Sequence, residues 1–479
     1  MDRHNAVRIS HHAGRFTLCI LFCFLLPASY FLLYMISFLF PTSPFLLHAD
    51  PPDTLWARTY GGADVDVAYS VCQTSDGGYI ATGYTSSFGV GQQDAYLVRL
   101  NSNGDTVWTT TFGGASMDGA HFVRETADHG YVIAAYTESF GGGGKNMYLI
   151  KTDTTGYPEY TRTYVTPLMD VAYACCETPD SGYMFVGYRD GPSGWVKGDL
   201  WILKTDATLD TLWTKEYGGA GEDYGTSIHP TPDGGYIITG TTSSFGAGGK
   251  DVWLVKIDAL GDTMWTKTHG GALEDVGYGV DLTADNGYIV SGYINGTGAW
   301  TAGDVLLLKT DSLGNTLWTK IYGGSSPEYG FDIYQTPDHG YITAGQGSSD
   351  IWLLRTDSLG DTLWTVKYGG AGTESALALG TTSDGGYIIG GYTTSFGNGS
   401  NDFWIIKTGP ETGIEELRPD ATPSSSLQTV ICGQLLLPFL KEHTIYDISG
   451  RRVTPTNLAP GIYFVESQGR IVTKIIKVR

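Results

Sequence analysis

The chain has 479 residues, with 67 Gly, 31 Tyr and 12 Trp, and its 29 Lys+Arg against 50 Asp+Glu give a formal charge of −21. That balance excludes a nucleic-acid binder that relies on neutralising phosphates. Glycine is about one residue in seven but follows no Gly-X-Y period, and aromatics make up 13%, so neither collagen nor a disordered tail fits and a packed, turn-rich protein is expected.

Residues 1–49 read as a signal peptide or signal anchor. Arg3, Arg8 and Arg15 precede Phe16 to Phe40, a run of 25 residues without charge that Pro27 and Ser29 interrupt. Positive charge before an apolar run marks export with the amino end inside. The run is long enough to span a bilayer if it is not removed, and Leu47-His48-Ala49 offers a small residue for cleavage before Asp50. Neither Cys19 nor Cys23 follows the small residues of a lipoprotein signal, so no lipid anchor is expected. Cys72, Cys175, Cys176 and Cys432 form no disulfide framework or C-x-x-C metal spacing. Cys72 and Cys176 each stand seven residues before a repeated tyrosine and read as core positions.

Residues 50–410 are a repeat, and they hold the acidity, with 18 basic and 42 acidic groups. A Trp-type position, followed in six copies by an aromatic or His and Gly-Gly and in the third by Tyr164-Val-Thr, recurs at Trp56, Trp108, Tyr160, Trp213, Trp265, Trp318 and Trp364, at a mean interval near 51 residues. Each copy contains four strand-like segments, seen in one copy as Tyr224 to Ile228, Tyr236 to Thr242, Asp251 to Asp258 and Thr263 to Thr268. An Asp-x-Gly-Tyr turn joins the first two, at Asp76, Asp128, Asp180, Asp233, Asp285, Asp338 and Asp384; Asp caps the turn and Gly is expected to supply the positive φ. An Asp-x-x-Gly-Asp turn, as in Asp258 to Asp262, joins the last two, so all four strands pair antiparallel. Such units bury both faces only by stacking round an axis, which predicts an all-β, seven-bladed β-propeller. A solenoid would need capping repeats that are not found. The chain enters on a fourth-type strand, Thr54 to Tyr60, and leaves after a third-type strand, Asp402 to Lys407; the two orphans should pair and close the ring.

Ten tryptophans lie on fourth or third strands and read as blade-to-blade packing. The pattern Lys256-x-Asp-x-x-Gly-Asp-Thr-x-Trp265 is similar to the tryptophan motif of quinoprotein-type propellers, a similarity that implies packing geometry and no quinone site. Trp195 and Trp300 break the pattern: both fall in the glycine-rich loop between second and third strands and are candidate stacking platforms for a sugar or another flat apolar face. A second candidate is a carboxylate once per copy after Gly-Gly: Asp66, Asp118, Asp170, Asp223, Asp275, Glu328 and Glu374. Placed where the innermost strand begins, these seven would ring the mouth of the central channel, on the face that carries the Trp195 and Trp300 loops, and favour cations such as calcium. A basic residue also recurs in every third strand, at Arg99, Lys151, Lys204, Lys256, Lys309, Arg355 and Lys407; the seven-to-seven match equally fits structural pairing or turn capping. Enzyme signatures fail. Gly141 to Lys145 is followed by Asn146 and flanked by strands, so the helix of a phosphate loop is missing, and neither Gly-x-Ser-x-Gly nor His-Glu-x-x-His occurs. No catalytic residue, metal site or cofactor motif is recognised.

Residues 411–428 read as a linker and 429–479 as a small β-sandwich, from the apolar–polar alternation of Thr444 to Val453, Leu458 to Val465 and Gly469 to Arg479 between glycine-containing turns. This stretch, with Tyr446-Asp-Ile-Ser-Gly-Arg451, Leu458-Ala-Pro-Gly-Ile-Tyr463 and a basic last strand, resembles the carboxy-terminal sorting domain of bacterial type IX secretion. The "YPNP" opening usual in that family is missing; Ala421-Thr-Pro-Ser-Ser-Ser426 stands in its place. The resemblance implies export across two membranes, engagement of the export and type IX machinery through the termini, and removal of the tail at the cell surface. The expectation is a secreted or cell-surface monomer that acts as a binding module, glycan-binding or adhesive, towards an extracellular glycan or surface protein. The rivals are a polysaccharide-acting enzyme using ring carboxylates as acid and base, and a purely structural surface protein.

Overall fold

The computed structural model describes residues 50–142, 144–191, 198–296 and 303–411, together with strands within 428–477. Residues 1–49, read above as a signal peptide or signal anchor, and both tryptophans of the second-to-third loops, Trp195 and Trp300, lie outside the described residues.

Seven four-stranded antiparallel sheets follow one another along the chain. Blade 1 comprises Asp66–Gln73, Tyr79–Thr85, Asp94–Leu100 and Thr106–Phe112. Blades 2 to 6 repeat this order, with first strands Asp118–Glu125, Met169–Glu177, Asp223–Pro230, Glu274–Leu282 and Glu328–Gln335. Blade 7 takes Glu374–Thr381, Tyr387–Thr393 and Asp402–Thr408 from the end of the repeat. Its fourth strand is Thr54–Thr59, paired antiparallel so that Trp56 faces Lys407 and Thr59 faces Trp404. The fold is a seven-bladed β-propeller.

The second and third strands are buried throughout while the fourth alternates, as in Thr263–His269, because only the outermost strand meets solvent on an edge and a face. Blade packing is carried by the repeated aromatics. Fourth-strand tryptophans turn to the next blade and meet the tyrosine of its Asp-x-Gly-Tyr turn: Trp108 and Tyr131 lie 5.9 Å apart, Trp265 and Tyr288 6.0 Å, and Trp318 and Tyr341 5.7 Å. Trp56 makes the same contact with Tyr79 of blade 1, at 5.7 Å, and Tyr60, Phe403 and Ile405 share a core with Ala68, Tyr96 and Val98.

The turn chemistry differs from expectation in one respect. Positive φ in Asp-x-Gly-Tyr belongs to the x residue, including His129 at 64° and His339 at 67°. The Gly is required for space: a Cβ on Gly130 would lie 2.1 Å from the Thr152 carbonyl oxygen and 2.5 Å from Lys151 Nζ. The third-strand cations explain that crowding. All seven pair with the Asp-x-Gly-Tyr aspartates of their own blades, at 2.5–2.9 Å, from Arg99 with Asp76 to Lys407 with Asp384. The seven-to-seven match is thus structural pairing, and its partners are the turn aspartates at the blade end remote from the Gly-Gly carboxylates.

The C-terminal strands, Gln428–Cys432, Thr444–Asp447, Arg452–Val453, Gly461–Ser467 and Arg470–Lys477, form one five-stranded sheet. Gln428–Cys432 runs parallel to Arg470–Lys477, and the other pairs are antiparallel.

Candidate binding channel

Each Gly-Gly carboxylate opens a first strand and is consumed by the loops around it. Asp118 accepts hydrogen bonds from the Gly114 amide at 2.8 Å, from the Ser139 hydroxyl at 2.6 Å and from the Thr137 hydroxyl. Asp66 does the same with Gly62, Ser87 and Thr85, and Glu374 with Gly370 and Thr393. Asp223 takes Gly219 and Thr242, and Glu328 takes Gly324. In blades 3 and 5, Asp170 receives the Asp190 amide, and Asp275 receives the Asn295 amide besides that of Gly271. All seven are buried, between 0% and 6% exposed, and burial raises the carboxyls of Asp170 and Glu328 above the usual range. Their backbone amides staple the blades: each donates to the residue before the third strand of the preceding blade at 2.7–3.0 Å, including Asp66 to Asn401 across the first and last blades. Each of these carboxylates stands at the start of its first strand and accepts at least one backbone amide rather than facing the channel.

Three residues further on, every first strand carries a β-bulge. The pairing register skips Tyr69, His121, Tyr173, Thr226, Tyr278, Phe331 and Leu377. A bulge adds a residue that the partner strand does not match and re-aims its side chain. Here the seven line a central cavity of about 710 Å³. All seven are half-buried, whereas the residue before each, Ala or Gly, is buried. On one side Tyr69, His121 and Tyr173 form a chain of rings, with centroids 5.1 and 4.8 Å apart. On the other, Tyr278 and Phe331 lie 4.8 Å apart. Second-strand residues Tyr84, Tyr293, Gln346 and Tyr392 widen the wall. Burial raises the phenols of Tyr69, Tyr173 and Tyr278, so these groups stay neutral near neutral pH.

The two ends of the cavity differ. At the loop end Lys250 pairs with Glu222 at 2.8 Å. At the turn end Cys72, Arg124 and Tyr334 line the cavity, and the equivalent positions of the other blades, six residues after each carboxylate, hold Cys176, His229, Asp281 and Gly380. Asp281 accepts the amides of Leu282 and Gln335, and Asp332, beside the bulge of blade 6, those of Ile333 and Leu379. Burial pushes Asp281 up to about 6 and Asp332 up to about 7. Burial, followed by the Arg124 charge, pushes His229 down to about 4. Among the described residues, no group of three or more His, Cys, Asp or Glu is placed to hold a metal ion.

Sequence reading missed this wall because nothing in a single strand marks a bulge; the extra residue is visible only against its partner. One signal was present, a small residue followed by a larger side chain at the same point of all seven copies, from Ala68-Tyr69 to Ala376-Leu377.

No family model matches the chain, and no curated protein does. Among solved structures it is similar to the Pan2 WD40 domain of Neurospora crassa, with 10% identity, a TM-score of 0.48, and coverage of 77% of this chain and 99% of that one. It is also similar to Chaetomium thermophilum Sqt1 bound to the N-terminus of ribosomal protein L10, with 12% identity, a TM-score of 0.44 and coverage of 76% and 100%. A protein of unknown function from Bacteroides caccae matches with 11% identity, a TM-score of 0.35 and coverage of 53% and 81%.

Proposed function

We propose that the protein is a secreted or cell-surface binding module and that its site is the aromatic-walled channel, which takes the flat apolar faces of a saccharide. The observation that carries this reading is the bulge in every first strand, which turns a half-buried side chain, in five blades an aromatic or histidine ring, into a cavity of about 710 Å³. Rings of this kind stack on sugar faces, and neutral tyrosine hydroxyls supply donors and acceptors for ring hydroxyls. Trp195 and Trp300 belong to the proposal as loop platforms. Export through residues 1–49 and sorting through residues 429–479 place the module outside the cell in this reading, and Thr54–Thr59 serves as the strand that closes the ring.

A glycan-array screen of the secreted chain, followed by titration of each hit, tests it. Tyr69→Ala combined with Tyr278→Ala should weaken binding at least about tenfold while the protein stays folded. Binding that survives this pair and disappears with Trp195→Ala and Trp300→Ala would move the site from the channel to the loops. Deletion of residues 50–59 tests the closing strand: the expected result is loss of the cooperative thermal transition, and an unchanged transition would refute its closing role.

A further inference from the structure

Arg124 lines the channel, is exposed, and its side chain makes no ion pair or hydrogen bond with any described residue. This sets it apart in a chain whose seven third-strand cations all have carboxylate partners. The other channel-lining cation, Lys250, is paired with Glu222. The six positions equivalent to Arg124 in the other blades hold no Lys or Arg, so the fold does not require a cation there.

We propose that Arg124 is the anion-recognition residue of the channel and that the ligand is a saccharide bearing a carboxylate, a uronic acid. The inference rests on the saccharide reading above and specifies its chemistry. A guanidinium offers a planar fork of donors that matches a carboxylate in two parallel hydrogen bonds. Arg124 is well placed to use it. Its neighbours on blades 1 and 3 at the same level are the neutral thiols Cys72 and Cys176, and His229 of blade 4 is neutral at neutral pH. The carboxyl groups of this end, Asp281 and Asp332, stand on blades 5 and 6, on the opposite side of the ring, and are each held by two backbone amides. Above Arg124 lie the rings of Tyr69, His121 and Tyr173, so one sugar face can stack while its carboxylate reaches the guanidinium. The net charge of −21 disfavours long polyanions at a distance, which makes a short-range contact to a single uronate the fitting mode.

The test is calorimetric titration of the intact secreted chain with short oligogalacturonates and oligoalginates, each beside its methyl ester, which removes the charge and keeps the sugar. Wild type should bind at least one acid at least about tenfold more tightly than its ester. Arg124→Gln should erase that preference by weakening acid binding at least about tenfold more than ester binding, and Arg124→Lys should keep part of it. Tyr278→Ala should weaken acid and ester alike. Equal binding of acid and ester, or a preference that survives Arg124→Gln, overturns the role of Arg124; if Tyr278→Ala still weakens both, the saccharide reading stands without it. No binding of any acid or ester overturns both. Circular-dichroism melts of each variant separate loss of contact from loss of fold.

Discussion

Two sets of seven residues lie three positions apart on the same strands and have opposite characters. The Gly-Gly carboxylates are almost uniform, Asp in five blades and Glu in two, and are buried, each accepting at least one backbone amide, with Asp170 Oδ2 left without a hydrogen-bond partner. The bulge residues run Tyr, His, Tyr, Thr, Tyr, Phe, Leu and stand half-buried round a cavity. Within a repeat protein, uniformity at a fixed position marks what each unit needs in order to pack on the next. Variety at a position that every unit turns toward one cavity marks surface released from that demand. The carboxylates drew attention first because they were uniform and charged, yet the variable set is the better candidate for recognition.

Mutations should separate the two sets. Asp118→Ala leaves the Gly114 amide and the Thr137 and Ser139 hydroxyls without their acceptor, and should cost on the order of 3–5 kcal/mol in denaturant titration. Wild-type stability of Asp118→Ala would break the comparison.

A smaller effect comes through pH, from Asp332 of the channel wall and from Asp281. Asp332 is raised to about 7 and Asp281 to about 6. Their contribution is therefore fully present below the unfolded value near 4 and is lost as pH rises through 6 and 7. The turn aspartates act in the other sense. The Thr178 hydroxyl, helped by Lys204, holds Asp180 at about 2, so its contribution is present above pH 4 and lost as pH falls towards 2. Stability should peak at about pH 4. Asp332→Asn should flatten the alkaline decline, by on the order of 2–4 kcal/mol between pH 4 and 8; an unchanged slope would show that Asp332 ionises without penalty.

Tyr278→Leu gives blade 5 the side-chain type that blade 7 carries at Leu377. It should alter unfolding free energy by less than about 1.5 kcal/mol while weakening saccharide binding. Loss of stability comparable to that of Asp118→Ala would make the wall a core after all. The smallest effect is at a turn: His129 sits at φ 64°, and His129→Gly should raise stability by about 0.5–1 kcal/mol, measurable as a shift of the melting midpoint.

Blade number, strand order and tryptophan packing were legible because they rest on local signals, namely turn dipeptides and a period near 51 residues that places Trp108 and Trp318 alike. The pairing of Lys256 with Asp233 was half legible. Spacing gave two sets of seven, and only the strand register, with Lys256 opposite Ile237 next to the turn, decided which acids they meet. The channel wall was not legible, since Tyr278 becomes a lining residue only because Gly277 and Gly279 pair with adjacent residues of the second strand and leave it out. That is a relation between two strands, of which a single strand shows only the small-then-larger pair, as in Gly277-Tyr278.

The central claim is that ligand occupies the channel against the bulge residues. Diffraction from crystals soaked with a saccharide hit tests it most directly. Density between Tyr69, Tyr173 and Tyr278, with a ring face against at least one of them, is the expected result. Density confined to the outer faces of the blades, with the channel holding only water, would contradict it.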